Sequence, residues 1–200
     1  MTKKILITGA NGQLGHEMRN ALKGNNRFEC IFTDVAELDI CNAEAVKQII
    51  ADNHIDYIVN CAAYTQVDKA EDNAELCKKI NTDAVENLAR AAADYGARMI
   101  HISTDYVFNG RGYRPYTEDM VPDPQSVYGS TKLEGEKILT DICPESIIIR
   151  TAWLYSPYGN NFVKTMLHLG EEREELSVVA DQIGTPTCAA DLAQAILVIL

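Results

Sequence analysis

Residues 4–15 of the chain read KILITGANGQLG, in which a short apolar run is followed by three glycines at the spacing Gly-x-x-Gly-x-x-Gly. The apolar run predicts a buried strand, and the residues after it predict the start of a helix. Such glycines permit a tight turn and a close approach of the backbone to a pyrophosphate, while the helix N-terminus adds N–H donors. The spacing differs from the usual Gly-x-Gly-x-x-Gly but serves the same purpose. We therefore predict a dinucleotide-binding loop that includes Gly9, Asn11, Gly12 and Gly15.

Strand and helix patterns alternate along the rest of the chain. Apolar runs typical of buried parallel strands lie at residues 4–8, 28–33, 57–61, 99–103, 146–150 and 176–179. Helical periodicity is present at residues 13–22, 43–52, 74–95, 128–142 and 162–169. This order predicts an α/β, Rossmann-like, doubly wound parallel sheet, with Gly96 ending the longest helix. Residues 110–125 form a long irregular segment that is either a surface loop or the wall of a site.

Length and composition restrict the kind of protein. The 200 residues suffice for one sizeable core, so we expect residues 1–200 to form one NAD(P)-binding domain. The net charge of −11 disfavours nucleic acid and anionic membranes as partners. No apolar run approaches about 18 residues, and the N-terminal run is too short for a signal peptide, so we expect a cytoplasmic protein. Six cysteines without a Cys-x-x-Cys pair and four scattered histidines indicate reduced thiols and no dedicated metal site.

A single carboxylate follows the second predicted strand. Asp34 lies 25 residues after the first glycine of the loop. A carboxylate there accepts hydrogen bonds from an adenosine ribose and repels a 2′-phosphate, and no Lys or Arg follows in residues 35–39. This chemistry favours NADH over NADPH, although aspartate is also a residue that caps turns. Asp39 and Ile40 end the next turn, where they could flank the adenine.

Tyr128 and Lys132 form a Tyr-x-x-x-Lys pair at the start of a predicted helix. This spacing places both side chains on one helix face, about one turn apart. The phenol of a free tyrosine has a pKa of about 10 and is a poor acid–base group near neutral pH. A nearby ammonium favours the phenolate and lowers that pKa, which suits proton exchange with a carbinol or a carbonyl. We predict that the pair is catalytic, whereas an isolated pair of this kind is often an exposed helix contact.

Polar or small residues follow two other predicted strands, at the sheet edge where open α/β proteins bind ligands. Thr104 and Asp105 close the run at 99–103. A hydroxyl there can bond a substrate oxygen and tune the tyrosine, or it can cap the strand end. Residues 60–64 read NCAAY, and their small side chains let a flat ring approach the backbone. Both segments are therefore predicted to border the same site as the Tyr-x-x-x-Lys pair.

Four motifs together resemble one protein family. They are Gly-x-x-Gly-x-x-Gly, Asn-x-Ala-Ala, Ser-Thr-Asp-Tyr-Val-Phe and Tyr-x-x-x-Lys, and they are similar to those of the extended short-chain dehydrogenases/reductases. The resemblance covers essentially the whole chain, and its specific stretches are residues 59–65, 67–71, 103–108, 128–136, 150–155 and 181–187. In detail it resembles the branch that reduces the C4 keto group of dTDP-4-dehydro-6-deoxy-L-mannose to dTDP-L-rhamnose, with NADPH or NADH as cofactor.

The resemblance implies roles for individual residues. Tyr128 would donate a proton to the C4 oxygen, Lys132 would anchor the cofactor ribose and modify the tyrosine pKa, and Thr104 would complete the triad. The nucleotide-sugar substrate would contact Thr104, Asp105 and Trp153. The cofactor would be lined by Gln13, Leu14, Asp39, Ile40, Ala62, Ala63 and Tyr64. A homodimer and a bound Mg²⁺ are both compatible with the resemblance.

Two other functions are open at this point. Sugar-nucleotide dehydratases and epimerases share the superfamily, but the dehydratases have a Glu after the Asp to remove a C5 proton, and here Tyr106 follows Asp105. The regulatory subunit of methionine adenosyltransferase resembles the same family, keeps the cofactor fold and is not an enzyme. The absence of the glutamate favours reduction.

The last ten residues have an unusual pattern. Residues 191–200 have the apolar face of a helix, with no glycine or polar tail after it. Members of the resembled family carry a small C-terminal substrate-binding portion beyond this point. We therefore expect that portion to be largely absent from these 200 residues, so that sugar-nucleotide binding would be weak and the apolar helix would favour self-association.

Overall fold

The computed structural model describes residues 2–200, in which parallel strands alternate with helices as the apolar runs predict. The main strands are β1 (Lys3–Thr8), β2 (Phe28–Thr33), β3 (Tyr57–Asn60), β4 (Arg98–Thr104) and β5 (Ile147–Thr151). Their order across the sheet is β2-β1-β3-β4-β5. The winding of the chain therefore reverses between β1 and β3, and doubly wound proteins bind their ligands at such a point. The predicted α/β, Rossmann-like, doubly wound sheet is confirmed.

Eight α-helices connect or follow these strands in the described part of the chain. They are α1 (Gln13–Ala21), α2 (Ala43–Asn53), α3 (Val67–Asp72), α4 (Ala74–Lys78), α5 (Ala84–Tyr95), α6 (Val127–Ile142), α7 (Phe162–Glu172) and α8 (Ala189–Ile199). Within residues 2–200, none of them combines the length and the hydropathy needed to span a membrane.

The unbroken apolar run of β1 is explained by burial on both faces of the sheet. Successive side chains of a strand point to opposite faces. Leu6 packs with apolar residues of α2 and α5, whereas Ile5 and Ile7 pack with those of α1 and α8. A strand covered on both sides has no solvent face, so its sequence does not alternate between apolar and polar residues.

The helix predicted at residues 74–95 is present but interrupted. A π-helical turn at Lys79–Asp83 separates α4 from α5. The Asn81 carbonyl in this turn approaches α6 so closely that a Cβ at Gly135 would lie 2.3 Å from its oxygen. Gly96 then ends α5 with a φ of +72°, as the sequence predicts.

The strand predicted at residues 176–179 is wrong. This segment has no regular secondary structure, and Val178 and Val179 are exposed. Its β-branched residues favour extended backbone, but a strand also needs a partner for its ladder of hydrogen bonds. In this part of the chain the paired strands are instead β6 (Leu154–Tyr155) and β7 (Thr187–Cys188), which form a short parallel pair.

Gly15 lies in the first turn of α1, directly against the glycine loop. A Cβ there would lie 2.4 Å from the Gly9 carbonyl oxygen and 2.5 Å from the Ala10 Cα. Because these are backbone atoms, we expect Gly15→Ala to lower the free energy of unfolding by about 2 kcal/mol or more and Tm by about 4–8 °C. Thermal denaturation followed by circular dichroism measures this change.

Gly170→Ala is the matched control, since no atom lies within 4 Å of its Cβ position on α7. Alanine favours helix over glycine by about 1 kcal/mol, so this variant should be as stable as the parent or slightly more stable. If Gly15→Ala melts at the parent temperature, the close packing of α1 on the loop is wrong.

Candidate active site

A cavity of about 1070 Å³ opens at the carboxyl ends of the strands, where the winding of the sheet reverses. The predicted site residues that line it are Gly12, Gln13, Leu14, Ala63, Thr104, Asp105, Tyr128, Lys132 and Trp153. Those outside its lining are Gly9, Asn11, Gly15, Asp34, Asp39, Ile40, Ala62 and Tyr64. The glycine loop and the Tyr-x-x-x-Lys pair therefore border one cavity, although they lie more than a hundred residues apart in sequence.

The glycine loop packs tightly against the end of β3. Gly9 has a φ of +64°, and a Cβ there would lie 2.6 Å from the Ala62 backbone nitrogen. The Gly12 N–H donates to the Gly9 carbonyl at 3.0 Å, which closes the turn before α1. Both the positive φ and the close approach require glycine at position 9.

Asp34 lies at the end of β2 with its carboxylate facing the loop. Oδ2 accepts a hydrogen bond from the Asn11 N–H and Oδ1 accepts one from the Val35 N–H, each at 2.9 Å. The carboxylate thus caps a turn, which was one of the two predicted roles. A carboxylate oxygen has a second lone pair, so Asp34 can also accept hydrogen bonds from a ribose.

Asp39 and Ile40 have different environments. Asp39 is exposed, and its Oδ1 accepts a hydrogen bond from the Cys41 N–H at 2.9 Å. The Ile40 side chain belongs to the core, and its carbonyl accepts a hydrogen bond from the Asn87 amide at 3.1 Å. Ile40 therefore supports the turn from beneath rather than presenting its side chain to the cavity.

Asn81 fixes the segment that follows β3. Its Oδ1 accepts a hydrogen bond from the Tyr64 N–H at 2.9 Å, and its Nδ2 donates to the Tyr64 carbonyl at 3.1 Å. The π-helical turn at Lys79–Asp83 carries this amide, and π-bulges occur frequently at functional sites. Our sequence analysis did not identify Asn81; the available signal was a polar residue within an otherwise apolar helix face.

Tyr128 is buried near the N-terminus of α6. Ser126 caps this helix by accepting a hydrogen bond from the Gly129 N–H, and the Tyr128 ring meets the Tyr106 ring edge-on at 5.6 Å. Burial raises the pKa of Tyr128 to about 12, while the neighbouring Thr104 hydroxyl acts in the opposite direction. The phenol is therefore protonated at neutral pH, as a proton donor must be.

Lys132 does not interact with the tyrosine in the way the sequence predicts. Its Nζ donates to the Ile102 carbonyl at 2.7 Å and lies 3.1 Å from the Nε2 of His101. Burial lowers the pKa of Lys132 to about 8, opposed by the carboxylate of Glu136. The prediction that this ammonium lowers the pKa of Tyr128 is wrong for this arrangement, because the lysine is held against β4 and burial dominates at the phenol.

Thr104, Asp105 and Trp153 border the cavity at the ends of β4 and β5. The Thr104 hydroxyl donates to Asp105 Oδ1 and accepts from the Tyr106 N–H, both at 3.2 Å. Burial raises the pKa of Asp105. Trp153 has a φ of +48° and is 43% exposed, with its ring tilted against Phe162 at 6.2 Å. An exposed aromatic ring in a left-handed backbone conformation is unusual, and both features are typical of ligand contacts.

The family of the chain can now be stated. The family model described as the RmlD substrate binding domain matches residues 3–200. The chain belongs to this family. It is 48% identical over 193 residues to the dTDP-4-dehydrorhamnose reductase of Escherichia coli K12, a match that covers 94% of this chain and 64% of that enzyme. The chain thus spans about two thirds of the length of the curated relatives that it matches.

Two solved structures of the RmlD family have the same backbone arrangement. The dTDP-4-dehydrorhamnose reductase of Clostridium acetobutylicum is 52% identical, with a TM-score of 0.95 over 98% of this chain and 69% of that one. The dTDP-4-dehydrorhamnose reductase of Bacillus anthracis, solved in complex with NADP, is 44% identical, with a TM-score of 0.96 over 100% of this chain and 70% of that one. The predicted resemblance is confirmed.

Several polar groups of the cavity were not identified from the sequence. The hydroxyls of Ser103 and Thr151 are buried without a hydrogen-bond partner in the described part of the chain, and both residues line the cavity. Serine and threonine are common at strand ends in any α/β protein, so the sequence alone does not distinguish these two. Gln13, which is one of the predicted cofactor residues, also holds the segment after β6, since its Oε1 accepts from the Asn161 amide at 2.9 Å.

The irregular segment at residues 110–125 contributes to a neighbouring cavity. This second cavity has a volume of about 500 Å³ and includes Tyr116, Thr117 and Glu118 in its lining. It shares Asp105 and Thr151 with the larger cavity. Part of the segment is therefore the wall of a cavity, which was one of its two predicted roles. Within residues 2–200, no three His, Cys, Asp or Glu side chains lie close enough together to hold a metal ion.

Proposed function

We propose that the chain reduces the C4 keto group of dTDP-4-dehydro-6-deoxy-L-mannose to dTDP-L-rhamnose, as the dinucleotide-binding and catalytic part of a dTDP-4-dehydrorhamnose reductase. The observation that carries this proposal is the buried, protonated phenol of Tyr128, which borders the same cavity as the glycine loop. A proton donor beside a dinucleotide loop is what carbonyl reduction requires. The names of the relatives in the RmlD family support the choice of substrate.

The loop fits a dinucleotide pyrophosphate. A Cβ at Gly9 or Gly15 would clash with neighbouring backbone atoms, so the loop is packed as closely as a phosphate-binding loop must be. Among the described residues, no side chain caps the N-terminus of α1. The first N–H groups of this helix are therefore available to phosphate oxygens, and the helix dipole favours an anion there.

The residues of the chain account for the proton that reduction consumes. When bound, the reduced nicotinamide supplies a hydride to C4. The Tyr128 O–H bond breaks as its proton passes to the C4 oxygen, which becomes a hydroxyl. The Thr104 hydroxyl lies beside the phenol and lowers its pKa, so it assists this transfer. The Tyr106 ring packs edge-on against the Tyr128 ring, with 5.6 Å between their centroids.

Asp34 bears on the choice between NADH and NADPH. A carboxylate at this position accepts ribose hydroxyls and repels a 2′-phosphate, which favours NADH. The NADP complex of the Bacillus anthracis relative supports NADPH instead. We propose that both dinucleotides bind and that Asp34 makes NADH the tighter of the two.

The test is to mix the chain with dTDP-4-dehydro-6-deoxy-L-mannose and either NADH or NADPH, and to follow the oxidation of the dinucleotide by absorbance. We expect oxidation with both and tighter binding of NADH. Binding of dinucleotide without oxidation at saturating sugar nucleotide would indicate a non-catalytic subunit and would overturn the proposal. Interconversion of a UDP-hexose with no net oxidation of dinucleotide would indicate an epimerase instead.

A further inference from the structure

A row of buried polar side chains crosses the sheet and ends at Lys132. Thr8, Asn60 and His101 are direct neighbours across β1, β3 and β4 in the register of the strands. Each of these three side chains is at most 1% exposed, and so is Lys132. Buried polar groups must satisfy one another, so the hydrogen bonds along this row determine which atoms carry protons.

The orientation of the Asn60 amide is fixed by two donors. Its Oδ1 accepts from the Thr8 hydroxyl at 2.6 Å and from the Ala62 N–H at 3.1 Å. Its Nδ2 therefore points away from them and lies 3.0 Å from the Nδ1 of His101. Because an amide NH₂ only donates, this ring nitrogen must be the acceptor.

The tautomer of His101 follows from that contact. A neutral imidazole carries one N–H, and with Nδ1 accepting from Asn60 the proton must be on Nε2. This Nε2–H points at the Lys132 Nζ, 3.1 Å away. If Lys132 were an ammonium, both its N–H groups and the His101 Nε2–H would be donors, and no hydrogen bond could form between them. A neutral amine can accept from the His101 Nε2–H while it donates to the Ile102 carbonyl.

We propose that His101 is a positioning residue that holds Lys132 against β4 as the neutral amine and thereby controls how much ammonium is present beside Tyr128. This inference rests on the proposed function, in which Tyr128 donates the proton in the cavity that Lys132 also lines. For the ammonium to form, the lysine must leave the His101 Nε2–H or the imidazole must give up its bond to Asn60. His101 would therefore act through Lys132 and not touch the substrate.

The charged and titratable groups around the pair are consistent with this assignment. The groups that face Lys132 are Glu136 on α6, Cys77 on α4 and His101 on β4, and Tyr128 lines the same cavity. Glu136 is engaged by Arg150 of β5 through two hydrogen bonds of 3.0 and 2.7 Å, which reduces its hold on the lysine. Burial places the pKa of His101 well below its usual value, so the imidazole is neutral.

The first test measures the pH dependence of His101→Gln. A glutamine amide reaches toward the position of Nε2 and can present a carbonyl oxygen, which accepts from an ammonium. We expect the pH at which turnover and dinucleotide affinity change, near 8 in the parent, to rise by about one unit in this variant.

Ile100→Val is the matched control for His101→Gln, because Ile100 is a buried neighbour on β4 outside the polar row. It should melt about 2–4 °C below the parent and keep the parent pH dependence. If His101→Gln also loses stability without any change in pH dependence, His101 is only a core residue and the inference is overturned.

The second test needs no catalysis and so separates this inference from the proposed function. Nitrogen-15 NMR of the imidazoles reports the tautomer of each histidine, and the His101 signal is the one missing from the His101→Gln spectrum. We expect a neutral ring with its proton on Nε2 at about pH 9 and above, where Lys132 is the neutral amine, and a shift of the Nε2 signal in Lys132→Met. A proton on Nδ1, or an imidazolium in this range, would overturn the inference even if the enzyme is active.

Discussion

Replacement of Tyr128 by Phe is expected to reduce turnover of the sugar nucleotide by about 10²–10⁴-fold, the usual contribution of a general acid. The phenol is the group in the cavity that is buried, protonated and adjacent to Thr104, and phenylalanine keeps its ring and removes only its hydroxyl group. Affinity for NADH or NADPH should change by less than about threefold, because the glycine loop is untouched. Steady-state kinetics and fluorescence titration of the dinucleotide measure the two effects separately.

Tyr106→Phe is the matched control for this variant. Its ring lies 5.6 Å from that of Tyr128 and it lines the same cavity, so the two substitutions disturb the same packing. Burial also raises the pKa of Tyr106, so both phenols are protonated at neutral pH and only position distinguishes them. We expect Tyr106→Phe to keep most of the turnover. The assignment of the donor is wrong if the two variants lose equal activity, or if Tyr128→Phe keeps more than about a tenth of the parent rate.

The fold could be predicted wherever the pattern of apolar residues reflects burial of their side chains. The run at residues 4–8 is apolar throughout because both faces of β1 are covered, and the glycines after it are required by contacts with the backbone at Ala62 and Ala10. Residues 176–179 also have a strand composition, but a strand needs a neighbour, and no local pattern reports whether a sheet edge is within reach. This is why the strand predicted at residues 176–179 is wrong.

The sequence identifies residues that lie in the site, but it does not predict the contacts that their side chains make. The spacing of Tyr128 and Lys132 places both on one face of α6, and both do line the cavity. The direction of a long, flexible side chain depends on what lies opposite, and here the Lys132 amine makes its hydrogen bonds with the Ile102 carbonyl and His101. His101 itself interrupts an apolar run, which was the available signal for a buried polar contact.

Lys132→Met is expected to affect two measurements at once, unlike Tyr128→Phe. Methionine has a similar length and no charge, so it removes the amine and retains most of the packing under α6. We expect turnover to fall by about 100-fold or more, because the amine proposed to hold the cofactor ribose in position beside Tyr128 is lost. Affinity for the dinucleotide should fall by about tenfold or more, since a charge-assisted hydrogen bond to a ribose hydroxyl contributes about 1.5–3 kcal/mol.

The pH dependence distinguishes loss of the lysine from general damage to the fold. Burial lowers the pKa of Lys132 to about 8, so the ammonium predominates below that pH and the neutral amine above it. The parent should therefore lose dinucleotide affinity as the pH rises through about 8, and Lys132→Met should have a low affinity that does not change over this range. Lys137→Met is the control, because Lys137 is an exposed residue on the same helix, and it should behave as the parent does. A pH-dependent loss of affinity that persists in Lys132→Met would mean that another group controls dinucleotide binding, and the role of the lysine would have to be abandoned.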